Sequence, residues 1–559
     1  MLTERKVKKV MKAYIHNKIK GLAKVLPFYL FNFLTLNAQT DSLLLRNYHT
    51  VKTADAWLTT PNAAALTRFS ASNIAEANLS LSYGKGEFVD FYDSPKVLQA
   101  GAAVESVFRL SRRTVVYGAI RYDNWTGRDM TGSAFMHLTS PSSRYPFDIV
   151  EDSLTNAGRK HRDTYQLAGA VGVDLWRGYA LGARLDYTAA NYAKYKDLRH
   201  KNKFMDLSAC VSAYAPVLPW LSLGANYTYH RQTESIDFGT YGKSEKVYKS
   251  LIDYGAFMGR VEQFGNEGFT DKSREMPLFE DSHGGGFQFS LHPMEQLTAL
   301  ASFAFANGNG YYGRRSPYTI TYTQHRREQR TTALSLDYTP WSHASRYSLD
   351  VSYSNERLAN RAETFREQTN ETSATYYEYY DPVETGDKQW DDVSATATVL
   401  LGLQGETPTW LLTAAYHWTK RQQAAYLFPF YRLQKLSAGQ VDIEAQYSLI
   451  RTSGIWSFAL TGGFRQGSGE PWQDGTFQTP GYRQASPATM EAFLMREYRY
   501  LTAPQYHVGG GIQYAFIFPG TPLKTHVRGD IGYRKANETN AYCQGDSRIQ
   551  LSLTAGCTF

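Results

Sequence analysis

Apolar and polar residues alternate with a period of two along most of this chain. In "YALGARLDY", residues 179–187, Tyr179, Leu181, Ala183, Leu185 and Tyr187 fall on one side, with Gly182, Arg184 and Asp186 on the other. "LSLGANYTYH" at 221–230 repeats the pattern, and so does the last stretch, "RIQLSLTAGCTF". A side-chain period of two is that of a half-buried strand. Eighteen such segments are predicted, at 72–83, 97–110, 114–124, 164–176, 179–189, 204–215, 221–231, 285–292, 297–306, 329–339, 346–356, 391–403, 410–420, 436–448, 455–466, 507–518, 524–534 and 548–559.

Short and long connections alternate between them. The short ones include "SRR", "RG", "PVLPW" and "PGTPL"; the long ones include 125–163, 232–284, 357–390 and 467–506. Tyr and Trp gather at segment ends, among them Tyr83, Trp176, Tyr179, Trp220, Trp410 and Trp456. Apolar outward bands, aromatic ends and loops of unequal length predict an all-β transmembrane antiparallel barrel of about 18 strands (range 16–18). The short turns are then periplasmic and the long loops extracellular. A mean hydropathy of −0.45 is compatible, because half of each strand faces a polar interior.

The N-terminus reads as an export signal over residues 1–38. Eight Lys and Arg precede the short apolar run "VLPFYLFNFLTL", and a small-residue exit at Ala38 follows. This segment also explains the net charge of +8. Removing its eight bases and one acid from totals of 60 and 52 leaves 52 basic and 51 acidic residues. The basic balance therefore gives no ground for a nucleic-acid partner. The three cysteines make no disulfide framework: Cys210 is expected to face the lumen and Cys557 the lipid. The barrel proper is assigned to 72–559.

Residues 39–71 lie between signal and barrel. They contain Trp57, Leu58, Pro61, Asn62 and a run of alanines at 63–65. The open arrangements are a hatch folded into the lumen, or else a periplasmic tail or one short extra helix. The segment is too short for the plug domain of a TonB-dependent receptor, and the chain too short for a 22-stranded wall.

The inward positions place charge on the lumen wall. They are Glu105, Arg109, Arg121, Asp174, Arg184, Asp186, Asp206, Asp337, Asp350, Asp442, Glu444, Arg465, Arg528, Asp530 and Arg534, with Lys524 and Arg548 beside them. These groups either pair locally and stay hydrated, or form a selectivity ladder with arginines on one wall facing carboxylates on the other. No catalytic, cofactor or metal motif is present; His343-Ala344-Ser345 falls in a periplasmic turn, and the inward His230 and His417 have no nucleophile beside them. The long loops are rich in aromatic and charged residues, and a short helix is expected within Ser244–Phe264.

Cleavage before Gln39, "WLTTPNAAAL" at 57–66 and the terminal Phe559 resemble the outer-membrane β-barrels of Bacteroidota, and the layout resembles an uncharacterised barrel family of that phylum. "PNAAAL" is similar to the Asn-Pro-Ala-Ala element of long-chain fatty-acid transporters, with the first two residues exchanged as Pro61-Asn62. The resemblance implies an outer-membrane location and contact with its lipid. It also implies insertion by the barrel-assembly machinery, reading Phe559. The function expected is passive or gated passage of an unidentified solute, without enzymatic chemistry. The alternative is a barrel whose aromatic loops bind a protein partner of an uptake or secretion complex.

Overall fold

In a closed antiparallel sheet every wall N–H and C=O finds a partner, which is the condition for backbone in lipid. The structure is a computed structural model that describes residues 43–137, 144–151, 157–241, 248–264, 276–316, 318–538 and 545–559. The signal assigned to 1–38, and Cys543, lie outside these.

The strands of the first half are β1 (Ile74–Lys85), β2 (Lys96–Arg109), β3 (Thr114–Met130), β4 (Asp148–Glu151), β5 (Gly158–Trp176), β6 (Tyr179–Lys194), β7 (Arg199–Leu218), β8 (Leu221–Gly239), β9 (Tyr248–Gly255), β10 (Met258–Phe264), β11 (Met276–Met294) and β12 (Leu297–Ser316). Those of the second half are β13 (Thr319–Tyr338), β14 (Ser345–Ala362), β15 (Phe365–Thr369), β16 (Thr375–Tyr379), β17 (Val383–Leu401), β18 (Trp410–Leu427), β19 (Phe430–Arg451), β20 (Gly454–Thr476), β21 (Ala488–Thr489), β22 (Gln505–Ile517), β23 (Lys524–Ala536) and β24 (Ser547–Thr558).

Eighteen of them form the wall, each antiparallel to its neighbour, and β1 pairs with both β2 and β24 to close it. At the seam Phe559 and Ala75 exchange backbone hydrogen bonds of 3.0 and 2.8 Å. Each of the 18 expected segments falls on a wall strand, overrunning it by at most two residues at an end. The outward positions are exposed and apolar, for example Leu79 at 62%, Ile120 at 61% and Leu460 at 64%. A surface of this kind is stable against lipid and not against water.

The turns expected to be short all lie at one end of the barrel, with both ends of the wall. At the other end the strands run well past the expected boundaries: β12 and β13 continue to Ser316 and from Thr319, and β18 and β19 to Leu427 and from Phe430. Two connections expected to be long are therefore tight hairpins. Above the lipid, outward side chains meet water and inward ones meet folded loops, so the apolar alternation fades while the ladder continues.

Candidate functional site: a lumen occupied at both ends

At the short-turn end, residues 43–71 lie inside the wall. Three short elements give them shape: helix α1 (Tyr48–Lys52) and two 3₁₀ turns at Ala56–Thr59 and Ala63–Arg68. Each is capped by a side-chain oxygen: Asn47 accepts from the Thr50 N–H, Asp55 from Trp57 and Asn62 from Ala64. Trp57 is fully buried; its Nε1 donates to Ser290 Oγ at 2.9 Å, and its ring meets Tyr214 edge-on at 5.0 Å. Asn62 Nδ2 donates to the Ala213 carbonyl at 2.9 Å and to Gln288 Oε1 at 3.0 Å.

The small residues set how closely the segment sits. The Ala64 N–H donates to Ser212 Oγ at 3.0 Å, and Gly172 and Gly182 on the wall face Ala63 and Ala64. A Cβ on Gly182 would fall on that backbone. Leu58 packs beside the cluster of Tyr48, Leu66 and Phe69, whereas Pro61 is exposed. Ion pairs fix the periphery: Arg68 with Asp55 at 2.7 Å, Arg46 with Glu406 at 3.3 Å, and Lys52 with Glu105. Arg109 donates to the carbonyls of Thr67 and Phe69.

At the opposite end the loops fold into the mouth. A four-stranded sheet in the order β21-β10-β9-β4 packs its Ile149 and Ile252 into a buried cluster with Ile236, Leu278 and Tyr312 of the wall, and its Val150 and Leu251 into a second one with Phe91, Phe493 and Leu494. Helix α2 (Glu491–Thr502) joins it, held by Arg421, whose guanidinium makes two 2.7 Å bonds to the Glu497 carboxylate. Arg144 ties the loop before β4 to Glu356 at 2.6 Å and Asp392 at 2.5 Å. In this loop sheet, burial pushes the Asp253 carboxyl up to about 7 against the pull of Lys388.

The helix expected within Ser244–Phe264 is corrected by this sheet: over its described part, 248–264, the segment is the β9–β10 hairpin, turning at Ala256 and Phe257 with φ of +49° and +55°. Residues 250–259 are buried on both faces, so the segment carries no alternation to mark it as strand.

Between the two closures lies a polar chamber of about 600 Å³. The order along β5 fixes its place. Lys160 donates to the Ser133 carbonyl of the upper loops at 2.7 Å, the chamber is lined by Arg162, Thr164 and Gln166, and Gly172 touches the lower segment. Strand β8 repeats this order with Ile236, then His230 to Glu234, then Gly224. Within the chamber Arg121 pairs with Asp123 at 2.6 Å and His230 with Asp206 at 3.0 Å, while Glu280 receives His325 at 3.1 Å and Arg327 at 2.9 Å.

The other expected wall charges pair locally. Arg184–Asp186 at 2.7 Å and Arg528–Asp530 at 2.8 Å lie on single strands; Arg346–Asp337 at 2.6 Å joins neighbouring strands, and His507–Asp442 at 3.0 Å reaches from β22 over β20 to β19. Asp350 accepts from Ser335 at 2.5 Å, and Asp174 from the Gly178 N–H at 3.2 Å in the adjoining turn. Arg465 stands over the Tyr500 ring at 5.6 Å, and Arg534 donates to its hydroxyl at 3.4 Å. Lys524 donates to the Arg46 carbonyl at 2.5 Å and Arg548 to the Ser94 carbonyl at 2.9 Å. Glu444 lies two residues after Asp442 on the same face of β19.

A ladder of arginines facing carboxylates across the lumen is therefore absent among these pairs. Same-face residues two apart are roughly 6.6 Å apart along a strand, within an arginine's reach, whereas the far wall is not. Cys210 and Cys557 are both free thiols. Among the described residues no cluster of His, Cys, Asp and Glu is placed to hold a metal ion. Arg144, Arg162, Glu234 and Arg327 are site residues that the sequence reading left inside long loops; extending the strand alternation outward would have found the last three.

Residues 63–559 match the profile of one protein family, described as "Family of unknown function (DUF6850)". No curated protein matches the sequence. Solved structures similar to it include the ferric preacinetobactin receptor BauA from Acinetobacter baumannii, at 8% identity over 86% of this chain and 80% of that one, TM-score 0.35. The outer membrane transporter YddB from Escherichia coli is 7% identical over 88% and 81%, TM-score 0.39. The monoaromatic hydrocarbon channel CymD is 8% identical over 89% and 91%, TM-score 0.28.

Proposed function

We propose that this chain, which belongs to the family of unknown function DUF6850, is a gated channel or transporter of a bacterial outer membrane. The observation that carries the reading is the chamber: a polar space of about 600 Å³ in the lumen, with folded chain above and below it. The lower cover, residues 43–71, is the hatch. It is a single pass of chain seated by side-chain hydrogen bonds, small residues and a few ion pairs, and it shares no ladder with the wall. Such a segment can leave while the barrel stays closed. The short-turn end is then periplasmic, and Phe559, at the seam, is the residue that the barrel-assembly machinery reads.

Ion conductance in a planar bilayer tests the proposal, comparing the mature protein with a variant lacking 39–71. Rare or no openings in the first and steady conductance in the second are expected. Silence in both, from folded barrels, would reject transport.

One observation favours a second reading. The β15–β16 hairpin forms a sheet of its own, bonded to β13 through the Tyr379 hydroxyl, and leaves Tyr376, Tyr379 and Tyr380 exposed, a surface able to bind a protein partner. Silence in both conductance measurements would move the assignment there.

A further inference from the structure

The chamber wall holds four arginines, and three are neutralised by carboxylates. Arg121 has Asp123, Arg327 has Glu280 and Glu356, and Arg144 has Glu356 and Asp392. Arg162 makes no ion pair among the described residues. Its Nη1 donates to the His137 carbonyl at 3.4 Å, its guanidinium lies 5.2 Å over the Trp125 ring, and its Nε is shut off from water with no hydrogen-bond partner. Asp123 and Asp93 act on this guanidinium through charge alone, and neither is bonded to it.

The neighbouring groups describe the rest of a ligand. Gln166, Thr188, Asp206, Gln232 and Glu280 stand opposite one another in one row across β5, β6, β7, β8 and β11. The two carboxylates of that row are taken, by His230 and by Arg327. Its amides and hydroxyl remain, and each amide offers both donors and acceptors. Beyond them Gly308 leaves the wall without a side chain, which gives the chamber its width.

We infer that the chamber is a binding site for a small hydroxylated anion of sugar-acid type, its acidic group on Arg162 and its hydroxyls on the row of Gln166, Thr188 and Gln232. This inference rests on the solute-passage reading for its purpose. The volume lies within the roughly 300–1,000 Å³ of small-molecule sites. The planar guanidinium suits a carboxylate or phosphate, and its stacking on Trp125 fixes its plane.

Titration calorimetry on the intact purified protein at low salt tests it, with gluconate, sorbitol and acetate as probes. Gluconate is expected to bind, and sorbitol and acetate about tenfold or more weaker, since each lacks one half of the recognition. Arg162→Gln is expected to weaken gluconate by roughly ten- to a hundredfold, and Arg162→Lys by less. Rising salt is expected to weaken gluconate binding to the native protein and leave sorbitol unchanged. Folding of each variant is read from heat-modifiable gel mobility; if Arg162→Gln does not fold, the three-probe comparison and the salt series on the native protein decide. No gluconate binding, sorbitol as strong as gluconate, or unchanged affinity in folded Arg162→Gln overturns the inference. Acetate as strong as gluconate also overturns it, leaving an anion site without sugar recognition. Conductance is read separately: binding without conductance rejects passage and keeps the site, and conductance without binding does the reverse.

Discussion

Trp57 Nε1 donates to Ser290 Oγ at 2.9 Å, across 233 residues of sequence, and this contact seats residues 43–71 against the inside of the wall. The indole is fully buried against Tyr214 of the wall. Trp57→Ala removes both the hydrogen bond and the largest apolar body in the segment. Large-to-small changes of this kind cost about 3–5 kcal/mol. The cost falls on docking of residues 43–71, because the wall ladder is untouched. The expected outcome is frequent channel openings and protease cleavage within 43–71, with unchanged heat-modifiable mobility. Ser290→Ala, which loses only the hydrogen bond, is expected to shift docking by about 1 kcal/mol.

Gly182 gives the complementary experiment, because it alters the wall and leaves the segment intact. A side chain there collides with the backbone of Ala63 and Ala64, and backbone cannot rotate away. The glycine is in ordinary strand conformation, so Val fits the ladder itself. Gly182→Val is expected to fold as a barrel and to conduct like the variant lacking 39–71. Gly169→Val is the control, since a Cβ there meets nothing within 4 Å. A silent Gly182→Val barrel would mean that the segment does not close the path.

Charge pairing anchors the upper closure. Arg421 and Glu497 are each 4% exposed and joined by two 2.7 Å bonds, which fasten α2 to the wall. Removing one partner of a buried pair costs about 3–5 kcal/mol, because the other charge is left uncompensated. Glu497→Ala is therefore expected to release α2 and expose 477–504 to protease added from outside. Replacing both residues by Met is expected to restore protection in large part, which a simple loss of contacts would not do.

The wall was legible in sequence wherever lipid selects one face. Leu181, Leu185 and Tyr187 alternate with Gly182, Arg184 and Asp186, and the register follows from that alone. Above the lipid the selection ends, and so does the signal. Arg162 stands two residues before the expected start of its strand at Thr164, on the same face as Gln166. Reading the alternation back by one repeat would have put it in the lumen. The segment around Trp57 and Asn62 stands out as aromatic and small-residue sequence without a strand pattern. Its seat does not: Gly172 and Gly182 read as weak points in strands until Ala63 and Ala64 are seen against them. The β9–β10 hairpin fails for a third reason. Buried on both faces, Leu251 and Ile252 give an apolar run that fits helix and strand alike.

Acid and base should act on the loop sheet through Asp253. Burial lifts its carboxyl to about 7, against an ordinary value near 3.8 in the unfolded chain. The folded sheet therefore binds more protons than the unfolded one between these values. Its stability from this group is fully present below the unfolded value and is lost as pH rises through the folded one. Asp148 on the neighbouring strand raises the carboxyl further, and Lys388 on β17 works against both. Amide hydrogen exchange at Leu251 and Ile252, compared between pH 5 and pH 8 after correction for intrinsic rates, should show weaker protection at the higher pH. Asp253→Asn is expected to flatten that difference by holding the site neutral throughout. Equal protection at both values in the native protein would mean that Asp253 is ionised across the range, with Lys388 as its full counter-charge.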